Sequence, residues 1–118
     1  MAIIVKLNTC MDMQDELNKL IYNNLLTLWM VDDEGDFTIK SPHLVNHAWI
    51  RIQQKVNPSM DVKFGIVTSK QYRLTNSLYA TYHCRFAEIL LNYFDDKIDK
   101  LEITPLLVKG IDVFPLQY

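Results

Sequence analysis

The segment Asn76–Ile98 constrains the fold more than any other part of the chain. It contains no glycine or proline, so nothing in it interrupts a helix. Leu78, Tyr79, Tyr82, Phe86, Ile89, Leu90, Tyr93 and Phe94 recur at helical spacing and form a broad aromatic stripe. Thr75 or Asn76 can cap its start. A thinner second stripe runs through Ala80, Cys84, Ala87 and Leu91, where small side chains let another backbone approach. A helix striped twice predicts cover on two sides, one by a sheet and the other by a first helix or another subunit.

The remaining elements are short and mostly extended. Ala2–Leu7 reads as a strand with Ile3, Val5 and Leu7 on one face and Ile4 and Lys6 on the other, which predicts a strand that is interior or covered by a partner. Asp12–Met30 reads as the first helix. Its negative start is Asp12, Asp15 and Glu16, and its buried stripe is Met13, Leu17, Leu20, Ile21, Leu25 and Leu28. Trp29 and Met30 extend that apolar surface. Phe37–Lys40 follows as a short strand. Between Ser41 and Val56 two readings fit. Ser41-Pro42 can start a helix that ends before Pro58. The alternation after Trp49 instead favours a hairpin of Trp49–Val56 with Val62–Thr68 across an Asn57-Pro58-Ser59 turn. Leu101–Val108, a Lys109-Gly110 turn and Ile111–Phe114 read as a C-terminal β-hairpin, with Leu116 and Tyr118 leaving an apolar tail. The expected fold is α+β over residues 1–118 as one domain: a mainly antiparallel sheet of five or six strands packed by two long helices, Asp12–Met30 and Asn76–Ile98.

Charge and composition narrow the partners. The 118 residues are 49% hydrophobic, ample for a core without metals or disulfides. Net charge is −2 and the basic residues are scattered singly, which disfavours a nucleic-acid partner. No apolar run approaches the ~18–20 residues of a membrane span, and Met1–Leu7 lacks the basic leader and long apolar core of a signal peptide. The chain is therefore expected in the cytoplasm or in a virion. Cys10 and Cys84 fall in no metal spacing and read as two small thiols.

Few residues suggest chemistry. His43 and His47 are four apart and on a helix would share a face able to hold zinc, but the intervening Glu of the helical metalloprotease motif is absent. His83 and Cys84 are adjacent and point about 100° apart on a helix, so they cannot act as a base and nucleophile pair. No glycine-rich phosphate loop or nucleophile elbow is present. Four of the five residues Asp32-Asp33-Glu34-Gly35-Asp36 are acidic, without the about twelve-residue spacing of a calcium loop. With Asp95, Asp96 and Asp99 they form a candidate acidic docking patch. No cofactor, resident metal or catalytic residue is expected.

The order of elements over Asp61–Phe114, a strand, a long helix and a closing hairpin, resembles the tail-completion and tail-terminator proteins of tailed phages. That resemblance implies a sheet with packed helices that assembles into rings. The expected role is a non-enzymatic assembly or interaction subunit, a homo-oligomer or part of a larger assembly, with interface residues Ala80, Cys84, Ala87, Leu91, Leu116 and Tyr118. Two alternatives stand beside it: a small inhibitor or adaptor docking on a host protein through its acids, and a small metal-binding enzyme using His43 and His47.

Overall fold

The computed structural model describes residues 2–44, 47–53, 59–68 and 75–104. In chain order these form β1 (Ile3–Met11), α1 (Met13–Tyr22), β2 (Trp29–Val31), β3 (Phe37–Ile39), β4 (Ala48–Ile52), β5 (Ser59–Thr68), α2 (Asn76–Tyr93), a 3-10 turn (Asp95–Lys97) and β6 (Ile98–Ile103). The strands make one antiparallel sheet in the order β2-β3-β4-β5-β1-β6. The α+β architecture expected from the sequence is the one observed.

Alternation sets the two faces of the sheet. Ile3, Val5, Ile50, Val62, Phe64 and Ile66 point inward and are fully buried. Lys6, Asp61 and Lys63 on the opposite face are exposed, with Ile4, Trp49, Arg51 and Val67 half-buried among them. β1 lies between β5 and β6, with Ile3 opposite Phe64 on one side and Ile103 on the other. Its apolar character on both faces fits that interior place. Met13 and Leu17 of α1 and Tyr82, Phe86 and Leu90 of α2 join the inward face in one buried cluster. Phe86 is the hub, with ring centroids 4.9 Å from Phe64, 5.5 Å from Trp29 and 5.7 Å from Phe37.

The hairpin reading of the middle segment holds. Ala48 pairs with Thr68, Ile50 with Ile66 and Ile52 with Phe64. Ser41-Pro42 opens a turn rather than a helix, closed by the Leu44 N–H on the Ser41 carbonyl at 2.9 Å. Val56 and the Asn57-Pro58 turn lie outside the described residues.

Among the described residues, three boundaries differ most from the sequence reading. β1 runs on to Met11, four residues past Leu7. The first helix stops at Tyr22, eight residues before Met30. Asn24 adopts φ 59°, the left-handed conformation that Asn tolerates best after Gly. Its N–H reaches the Ile21 carbonyl at 3.0 Å and the Leu25 N–H reaches Leu20 at 2.9 Å. These two bonds are the Schellman closure, which satisfies the last carbonyls of the helix and turns the chain away. Leu25 and Leu28, expected on the buried stripe, are instead 55% and 46% exposed, and Trp29 and Met30 are strand residues.

The second helix ends at Tyr93 rather than Ile98. Acids oppose the negative end of a helix, and the Asp95 carboxylate accepts the Asp96 N–H at 3.0 Å, a local bond that competes with helix continuation. Ile98 opens β6, so the first limb of the expected terminal hairpin is present and pairs with β1. The Lys109-Gly110 turn, the limb Ile111–Phe114, Leu116 and Tyr118 lie outside the described residues.

The Asn24 turn gives a direct test. Asn24→Gly keeps or slightly raises the urea midpoint, whereas Asn24→Val lowers stability by about 1–2 kcal/mol because a β-branched residue resists positive φ.

Candidate functional site

The early end of α1 creates a groove. Residues 23–28 cross from the helix to β2 with Leu26 turned into the core. Trp29 fills the floor, edge-on to Tyr82 at 5.9 Å and to Phe86 at 5.5 Å. Leu25 and Leu28 form one wall, and Arg85, Glu88, Ile89, Asn92 and Tyr93 of α2 form the other. The groove encloses about 230 Å³. The Tyr93 hydroxyl donates to the Leu25 carbonyl at 3.3 Å and ties the walls together. On the rim, Arg85 Nη1 meets Glu88 Oε1 at 3.3 Å. Tyr22 and Leu91 add exposed apolar surface on the two helices.

The expected interface stripe on α2 is placed in parts. Cys84 and Leu91 are exposed, Ala80 is half-buried and Ala87 is buried. α1 does not cover Cys84 or Leu91.

The acidic turn joins β2 to β3. The Asp32 carboxylate accepts the N–H groups of Glu34 and Asp36, both at 2.9 Å, so it organises the loop. Gly35 has φ +82°, and Gln14 of α1 donates to its carbonyl at 3.1 Å. Asp33 and Glu34 are exposed, but Asp36 is buried at 3% exposure. Arg51 grips it with two bonds, Nε to Oδ1 at 2.9 Å and Nη2 to Oδ2 at 2.7 Å. That bond to Asp36 holds the Arg51 guanidinium above its ordinary pKa, against the opposing effect of burial. A shallow cleft of about 400 Å³ opens beside the pair, walled by Trp49 and Val67.

Asp95, Asp96 and Asp99 are exposed around the start of β6, at the other edge of the sheet. The two acidic groups border opposite edge strands, so the structure does not merge them into one patch.

His43 is exposed and His47 half-buried, on the turn before β4. They share a cleft of about 320 Å³ with Leu44, Thr75, Ser77, Leu78 and Thr81, all apolar or hydroxyl residues. Among the described residues His43 and His47 stand in turns rather than on the helix that the zinc spacing supposes. Among the described residues no three His, Cys, Asp or Glu side chains converge on a metal position. His83 is buried against Tyr79, with Nδ1 2.8 Å from the Tyr79 carbonyl, while Cys84 is exposed.

Tyr82 connects this turn to the core. Its hydroxyl donates to the Leu44 carbonyl at 2.7 Å and lies 3.1 Å from Thr38 Oγ1, which donates to the Ala48 carbonyl at 2.9 Å. Burial pushes the phenol above its ordinary value of 10.0, partly offset by Thr38 and the Ile39 backbone.

No protein-family model, curated protein or solved structure matches the chain. No helix among the described residues is long and apolar enough to cross a membrane.

The groove was hidden in the sequence because Leu25 and Leu28 fit the helical stripe. The Asn23-Asn24 pair was the available signal, since Asn is the commonest non-glycine residue in the left-handed closing position.

Two outcomes follow from these contacts. Arg51→Ala strands the buried Asp36 carboxylate and costs about 3 kcal/mol in urea unfolding, and Arg51→Lys recovers only part because an ammonium lacks the planar fork. For Tyr82, the raised folded pKa stabilises fully below about pH 10. That contribution disappears as pH rises through the folded value, so the urea midpoint falls above about pH 10. Tyr82→Phe removes this part of the alkaline decline at a cost of about 1 kcal/mol near neutrality from the lost hydrogen bond.

Proposed function

We propose that the chain is a non-catalytic assembly subunit that works by covering apolar surface against other protein. The observation that carries this is the groove, where exposed Leu25, Leu28 and Tyr93 border a core tryptophan. Contiguous apolar surface of this kind, rimmed by charge, marks contact with another protein more often than catalysis. Catalytic sites instead gather polar groups that hold a reacting atom between them. The cleft shared by His43 and His47 offers only hydroxyls and leucines as described neighbours, which gives zinc no third ligand of ordinary type.

A finer reading makes the chain a virion component at the tail or neck of a tailed phage. Its support is the order of β5, α2 and β6, which follows the strand, the long helix and the first limb of the closing hairpin on which the resemblance to ring-forming tail proteins rests. The inhibitor or adaptor reading is less well supported, because Asp36 is occupied by Arg51 and the other acids are divided between two sheet edges.

Light-scattering mass over a wide concentration range tests the assembly reading. A discrete oligomer of the 13.9 kDa chain is expected. A strict monomer at every concentration overturns self-assembly as its working state.

A further inference from the structure

We propose that the groove is the contact surface of a symmetric homodimer in which Arg85 of each protomer meets Glu88 of the other. This rests on the assembly reading and names its first partner as a second copy of the chain.

The rim chooses the partner. Arg85 and Glu88 stand one helical turn apart on α2, with side chains 54% and 58% exposed, and pair at 3.3 Å. An exposed pair of this kind contributes little on its own, so exchanging each partner for its equivalent on a second protomer sacrifices almost nothing. Once apolar surface closes around them, the same charges interact in a drier medium and gain strength.

Symmetry makes the surface fit itself. In a two-fold interface residue i meets residue j while j meets i. One cation and one anion beside an apolar strip satisfy that condition: Arg85 faces Glu88 twice, and the strip of Leu25, Leu28 and Tyr93 lies against the other protomer. A strongly basic or acidic partner finds no match, because the described rim residues carry no net charge. Among the described lining residues Glu88 is the one carboxylate and Arg85 the one cation. The acidic turn at Asp32–Asp36 and the acids at Asp95, Asp96 and Asp99 line no part of the groove.

The test uses charge reversal on the full chain. Arg85→Glu places two acids on each rim and Glu88→Arg places two bases. Each variant alone is expected to raise the dimer Kd about tenfold or more through like-charge contact. Mixing the two variants, one isotopically labelled, is expected to restore a dimer that native mass spectrometry identifies as one protomer of each. The mixture also controls for folding, since only folded variants can pair. If wild type forms a discrete oligomer whose mass ignores both substitutions, the groove is not its interface, although the assembly reading stands. If the variants dissociate and their mixture stays monomeric, the Arg85–Glu88 exchange is overturned. A wild type that is monomeric throughout overturns both.

Discussion

Phe86 holds the molecule together. Its ring touches aromatic side chains from three strands, Trp29 on β2, Phe37 on β3 and Phe64 on β5, so one helical position fixes α2 over half of the sheet. Tilted and edge-on ring contacts have preferred geometry as well as buried area, which gives this seat direction that aliphatic packing lacks. Tyr82, one turn earlier, carries the same role to the turn before β4 through its hydroxyl. The groove depends on this arrangement, because its tryptophan floor is held in place by the two rings beneath it.

Periodicity in the sequence disclosed the elements whose pattern has one interpretation. Ile3, Val5 and Leu7 alternate, and all three are buried. The Trp49–Ile52 alternation pairs with β5 as a hairpin arm. Thr75 caps α2, accepting the Leu78 N–H at 3.1 Å. What stayed hidden turns on single local bonds. The apolar spacing from Met13 to Leu28 suits a long helix, and periodicity alone cannot register that two asparagines end it with two backbone hydrogen bonds. Asp36 is likewise indistinguishable from its acidic neighbours in the sequence. The position of Arg51 opposite it, on the neighbouring strand β4, is what lets this one carboxylate go inside.

The same helix end separates what stabilises the chain from what is available for contact. Had α1 continued, Leu25 and Leu28 would have competed with Trp29 for the core. Ending it early delivers Trp29 to a strand, where it packs fully, and leaves the two leucines on the surface beside α2. Part of the apolar content that the fold leaves exposed, Leu25, Leu28 and Tyr93, therefore gathers at one groove.

The central place of β1 has a consequence for synthesis. Its two neighbours, β5 and β6, are the last made of the described strands, and the bond from the Ala2 N–H to Thr104 Oγ1 spans 102 positions. A nascent chain thus carries this largely apolar strand without either pairing edge until more than half of the polypeptide has been made. Contacts this distant in sequence slow folding, since a large loop must close before they form. During that interval the exposed strand is open to wrong pairing, which makes its single outward lysine, Lys6, a guard against aggregation as the chain is being made.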